Sequence, residues 1–194
     1  MTLEEKLAHC HSISSNTTIP VSVDFEDGYS NDPSEVAANI LKLVGSGVAG
    51  CSVEDFSRVD QKIFDFNLSV ERIQAAVEAV SSLDMPFQLV ARADGLIRGH
   101  ADLDDAIKRL QAFEKVGAHM LYAPGLNSLE QVELLSKSTN APLNVLSPFF
   151  PGVTVEAIGE AGGTRLSMGN VLLEKVRGSF KQGMEEMLAA GLAS

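Results

Sequence analysis

The chain has 194 residues, a formal net charge of −11, 45% hydrophobic and 21% charged residues, which suits one globular domain with a buried core. No basic patch exists to neutralise phosphates, so nucleic acid is excluded as a partner, and no apolar run reaches the ~20 residues of a membrane span. The N-terminal segment lacks the apolar core of a signal peptide, and Cys10 and Cys51 form neither a disulfide framework nor a metal spacing, so a cytoplasmic protein with no membrane contact is expected.

In chain order, Val21 to Asp24 reads as a strand. It ends in Asp24 and Glu26, two carboxylates at i and i+2, before the turn Gly28-Tyr29. Side chains alternate along a strand, so this spacing aims both acids the same way. Carboxylates converging at a strand end suit a hard cation such as Mg²⁺; a solvated acidic strand end is the alternative. Asp32, Pro33 and Glu35 then mark a helix start, with Val36, Ala37, Ile40, Leu41 and Val44 on one face and Gly45 and Gly47 at its end. Val48 to Val53 is the second strand and closes on Glu54-Asp55, with Cys51 a small buried residue. A loop is expected from Phe56 to Asn67, where Arg58 and Lys62 read as solvated. Ser69 is placed as the cap of a helix carrying Val70, Ile73, Val77 and Val80.

Gln88 to Arg92 is the third strand. Asp102 caps a helix with Leu103, Ala106, Ile107, Leu110 and Phe113, closed by Gly117. His119 to Ala123 is the fourth strand, with His119 expected as a hydrogen-bonded core residue. Ser128 to Gln131 is a capping-box pattern ahead of the next helix, Pro142 to Leu146 the fifth strand, and Thr154 opens a short helix. Thr164 to Met168 is the sixth strand, and a last helix starts near Asn170 with Leu172, Leu173, Val176, Phe180 and Met184 along it.

Apolar strands alternating with amphipathic helices at roughly 25 to 35 residues per repeat predict a parallel sheet of β-α units. No G-x-G-x-x-G follows the first strand, which counts against a dinucleotide-binding doubly wound fold. Polar and charged residues recur at the C-terminal strand ends, namely Asp24, Glu26, Glu54, Arg92, Asn144 and Ser167. Active sites gather at that end of a (β/α)8 barrel, but a full barrel takes ~250 residues. The expectation is one domain of (β/α)8 TIM-barrel type, truncated to about six β-α units.

The segments 20–29, 47–55, 91–94 with 104–110, 123–126, 142–145 and 163–169 together resemble, in order and spacing, the isocitrate lyase / phosphoenolpyruvate mutase superfamily in its phosphonomutase-like branch. The resemblance implies a Mg²⁺-binding barrel, with Mn²⁺ as the alternative ion. It implies an enzyme that makes or breaks a C–C or P–C bond next to a 2-oxo acid or its enolate, on a small 2-oxo or 2-hydroxy acid or a phosphonate. Carried over by position, Asp24, Glu26 and Glu54 would serve the metal, and Arg92 would meet the substrate carboxylate or developing enolate. Asn144 would be a further polar residue of the site. It also implies a homo-oligomer whose last helices pack on a neighbouring subunit.

The chain departs from that pattern in two places. Family members begin with two further β-α units, so the first strand here corresponds to their third, and two sheet edges are left open. The loop 56–64 lacks the cysteine that lyases of the group place there, which counts against the usual isocitrate or methylisocitrate route. Two other readings stand beside the enzyme. One is a catalytically inactive homologue with a structural or ligand-binding role. The other is a phosphate-binding barrel using Gly162-Gly163.

Overall fold

The computed structural model describes residues 1–192. Its elements are α1 (Leu3–Ser14), β1 (Ser22–Asp24), α2 (Pro33–Val44), β2 (Gly50–Glu54), β3 (Phe56–Ser57), β4 (Lys62–Ile63), α3 (Phe66–Ser81), β5 (Gln88–Arg92), α4 (Gly95–Arg98), α5 (Leu103–Lys115), β6 (Met120–Tyr122), α6 (Leu129–Ser138), β7 (Leu143–Leu146), α7 (Val155–Glu160), β8 (Arg165–Ser167) and α8 (Val171–Ala189). A 3-10 turn, Ser147–Phe149, follows β7.

Six strands form one all-parallel sheet in the order β1-β2-β5-β6-β7-β8, and β3 and β4 make a separate small antiparallel hairpin. Residues of both edge strands, Ser22 to Asp24 of β1 and Leu166 to Ser167 of β8, line one and the same cavity, so the sheet is curled into an open half-barrel. The truncated barrel expected from the strand count is the architecture found.

Alternation along the strands separates core from site. Cys51 and Val53 of β2, Leu89 and Ala91 of β5, Leu121 of β6 and Leu143 and Val145 of β7 are buried against the helices. Their helical partners include Val36, Ile40 and Leu43 of α2, Ile73, Ala76 and Val80 of α3, and Ala106, Leu110 and Phe113 of α5. Each Val, Leu, Ile or Phe among these contributes about 1.5–3 kcal/mol on burial. The intervening residues Ser52, Glu54, Arg92 and Asn144 belong to the opposite, concave face. Gly50 serves the sheet itself: a Cβ there would lie 2.5 Å from the Gln88 carbonyl oxygen on β5.

Helix starts follow the sequence at Asp32, Asp102, Ser128 and Thr154, whose side chains accept backbone N–H bonds from the first turn. Ser69 is a correction. The cap of α3 is Asp65, which accepts from the Asn67 N–H, while Ser69 is buried one turn inside and donates to the Phe64 carbonyl. The loop expected after Glu54 contains the β3–β4 hairpin. His119 is exposed rather than core, its Nδ1 accepting from the Leu89 N–H at 3.0 Å. Gly162-Gly163 lies before β8, at the strand's N-terminal end, away from the cavity. Ser136 and Ile158 fill the space a Cβ would need there, so the glycines serve packing and the phosphate reading loses its anchor.

Helix α8 has no buried residue, and Leu172, Leu173, Val176 and Phe180 stand exposed along it. No helix among the described residues is long and apolar enough to cross a membrane.

Candidate active site

The concave face carries a cavity of about 440 Å³, within the size range of small-molecule sites. Strand register builds it. Glu54 pairs with Arg92, Arg92 with Tyr122, Tyr122 with Asn144, and Asn144 with Arg165. One polar residue from each of five adjacent strands thus stands in a single row. Asp24 sits opposite Ser52 at the first edge.

Arg92 is the hub. Its Nη1 donates to Asp24 Oδ2 at 3.0 Å and lies 3.2 Å from Glu54 Oε2. Its Nε and Nη2 clasp both oxygens of Asp94, the Nη2 bond being 2.9 Å. Arg98 adds a second cation, with Nε 3.3 Å from Asp94 Oδ2 and Nη2 3.8 Å from Glu54 Oε1. Asp94 is fully buried and Glu54 nearly so, whereas the Asp24 side chain is 60% exposed. Burial pushes the Glu54 carboxyl up to about 8; Asp94 and Asp24 add to this and Arg92 and Arg98 oppose it. Arg92 is held firmly as a cation, because Asp94, Glu54 and Asp24 outweigh its burial.

Glu26 stands apart from this group. The strand ends at Asp24, and Glu26 adopts a left-handed backbone (φ 53°), which breaks the alternation that would aim it with Asp24. Its carboxylate accepts from Tyr29 Oη at 3.2 Å and pairs with Arg58 Nη1 at 3.1 Å and Lys6 Nζ at 3.6 Å. Arg58 is not simply solvated, since it also donates to Asp27 Oδ1 at 2.8 Å and lies over the Tyr29 ring. The three acids Asp24, Glu26 and Glu54 are therefore not gathered, and no set of three or more His, Cys, Asp or Glu forms a metal cluster among the described residues.

Asn144 is fully buried with both polar ends engaged: Nδ2 donates to Ser167 Oγ at 2.9 Å, and Oδ1 accepts from Arg165 Nε at 2.8 Å. Beneath the site, the fully buried Arg72 stacks on Phe64 and donates to the carbonyls of Asp27, Ser30 and Glu54, the last two at 3.0 and 3.1 Å. It ties the loop after β1 to the end of β2. Asp55 accepts from the Asp94 N–H at 2.7 Å and pairs with Arg109 at 3.2 Å, bracing the residue that clasps Arg92.

Sequence reasoning missed Asp94, Arg72 and Arg165. The signal for Asp94 was present, because it follows Arg92 at i+2 just as Glu26 follows Asp24. Arg72 sits on a helix face otherwise read as apolar, and Arg165 joins the row only through register.

A curled parallel β/α sheet with carboxylates and an arginine at its C-terminal strand ends defines a truncated (β/α)8-barrel protein with an acid–arginine site. The chain belongs to the phosphoenolpyruvate phosphomutase family, whose model matches residues 1–188, within the isocitrate lyase / phosphoenolpyruvate mutase superfamily. A candidate lyase/mutase of Burkholderia cenocepacia J2315 superposes with a TM-score of 0.93 at 34% identity, over 98% of this chain and 69% of that one. The 2-methylisocitrate lyase of Escherichia coli K12 is 29% identical over 150 residues, covering 73% of this chain and 49% of that enzyme. Phosphonopyruvate hydrolase, solved with oxalate and Mg²⁺, shares the fold with a TM-score of 0.86 at 20% identity, over 98% of this chain and 68% of that one. The chain spans about half the length of the curated relatives it matches.

Proposed function

We propose that this chain carries the site of a Mg²⁺-dependent lyase or mutase that cleaves or forms a C–C or P–C bond next to a 2-oxo acid by way of an enolate. The observation that carries the reading is the convergence of Asp24, Glu54 and Asp94 on Arg92 in the cavity at the C-terminal strand ends. Its lyase relatives support it.

The donor set fits Mg²⁺. Asp24 and Glu54 present hard oxygen ligands to the same guanidinium nitrogen, and Mg²⁺ needs only one or two protein carboxylates beside water and substrate. The exposed Asp24 would bind it directly and Glu54 through water, while Glu26 holds the loop through Lys6 and Arg58. Bound there, the ion would supply a Lewis acid to the 2-oxo group. Arg92 gives a fixed positive charge beside the reacting carboxylate, and Asp94 fixes the plane of its fork. Ser22, Ser52 and Ser167 offer hydroxyls to the bound acid from the cavity wall. We further propose a homo-oligomer assembled through the apolar side of α8.

The test is turnover with Mg²⁺ of a panel of 2-oxo acids, 2-hydroxy acids and phosphonates, read as release of pyruvate or oxalate. Arg92→Leu is expected to lower kcat by about 10²–10³, the cost of losing one preorganised electrostatic donor. A folded chain with no turnover in any pairing would favour the non-catalytic reading, as would turnover that Arg92→Leu leaves intact.

A further inference from the structure

Arg165 is the one arginine on the cavity wall with no carboxylate partner among the described residues. Arg92 is committed to three acids, whereas Arg165 makes one polar contact, from Nε to Asn144 Oδ1. That bond, with Asn144 anchored in turn on Ser167, leaves the outer nitrogens of the fork without a protein acceptor, on a residue that lines the cavity. Among the described residues only Arg72 Nε is a buried side-chain polar atom without a partner, so the outer nitrogens of Arg165 are open to the solvent of the cavity and free to take an anion, and in a chain of net charge −11 the lack of an acidic neighbour is itself informative. Burial depresses the pKa of Arg165, with only Tyr122 acting against it.

Its place in the row sets what it can bind. Arg92 and Arg165 are separated by Tyr122 and Asn144 on the two intervening strands. Three strand spacings make at most roughly 14 Å along the curled sheet. The two arginines thus line one cavity from strands three apart, a span that suits a small molecule bearing an acid group at each end. Near Arg92 the surrounding carboxylates repel an anion unless a cation intervenes; at Arg165 no such acid stands in the way.

We propose that Arg165 determines specificity by binding a second, distal carboxylate, so that the site takes small 2-oxo or 2-hydroxy dicarboxylates in preference to monocarboxylates. This deepens the proposed function and rests on it. Asn144 and Ser167 are positioning residues for the fork, which suits bidentate carboxylate recognition.

The test compares malate with 2-hydroxybutyrate, which carries a methyl group in place of the distal carboxylate, with oxalate as a probe of the common site. Each is titrated calorimetrically with Mg²⁺ into wild type, Arg165→Gln and Arg165→Lys. Wild type is expected to prefer malate by about tenfold or more, as a charge-assisted pair provides. Arg165→Gln, which keeps a donor for Asn144, should bring that ratio near one and leave oxalate and 2-hydroxybutyrate unchanged. Arg165→Lys should fall between the two, and it carries the test if the glutamine variant is unstable. Oxalate binding without a malate preference, a preference that survives Arg165→Gln, or equal loss of all three ligands in a folded variant overturns the assignment. Failure of wild type to bind even oxalate overturns the reading of the site, and this inference with it.

Discussion

Glu54→Gln isolates the energetic cost of gathering acids around Arg92. In the folded chain the Glu54 carboxyl titrates near 8, against an ordinary value of 4.5, chiefly because it is buried and next because Asp94 lies beside it. The folded state therefore holds a proton that the unfolded chain releases. The stabilising contribution is whole below about 4.5 and is lost as pH rises to about 8. At about 1.4 kcal/mol per unit, the span sets a ceiling of about 5 kcal/mol. Water entering from the open cavity and movement of Arg92 and Arg98 reduce this, leaving about 2 kcal/mol as the effect to seek. For a chain of this size about 1 kcal/mol moves the thermal midpoint by roughly 2–4 °C. Between pH 5 and 8 the wild type should thus lose about 4–8 °C relative to Glu54→Gln, which has no proton to give up. Thermal melts of both proteins across this range, without divalent cations, read the difference. Parallel midpoint curves would refute the reasoning, and so would a wild type that gains on the variant as pH rises.

Three further outcomes follow from the packing. Arg72→Met should destabilise by about 3 kcal/mol or more in denaturant titration, because it strands the buried carbonyls of Asp27, Ser30 and Glu54. Gly50→Ala should weaken β2–β5 pairing, since its Cβ meets backbone rather than a movable side chain, and amide exchange of those strands should speed up. Phe180→Glu on α8 should lower the mass found by light scattering to that of a single chain while leaving the far-ultraviolet dichroism unchanged, because Phe180 is exposed within the chain.

Much of the fold was legible because the apolar period and the helix caps agreed. Asp32, Asp102, Ser128 and Thr154 each stand where the sequence puts them, and the six sheet strands follow the apolar runs. The cap of α3 is Asp65 rather than Ser69 because Phe66 continues the apolar period of Val70, Ile73 and Val77 one turn earlier, into the stretch that reads as a polar loop. The β3–β4 hairpin has only two residues per strand and leans on the tie between Asp27 and Arg58, for which no local signal exists. In the site, Asp24, Glu54 and Arg92 were legible as strand-end charges. Glu26 was not, because alternation holds only while the strand continues, and the backbone turns left-handed at Glu26 itself. Asp94 carried a local signal at i+2 from Arg92, whereas Arg165 joins the site through register and contacts across strands, which one sequence does not display.

The measurement that bears most directly on the central claim is a calorimetric titration of oxalate, a mimic of the pyruvate enolate, with and without Mg²⁺, into wild type and Asp24→Ala. Oxalate binding is expected to require Mg²⁺ in wild type and to be lost in Asp24→Ala, with the variant's thermal midpoint essentially unchanged because Asp24 is largely exposed. A folded wild type that binds no oxalate with Mg²⁺ would contradict the claim, as would binding that is indifferent to Mg²⁺ or to the Asp24 carboxylate.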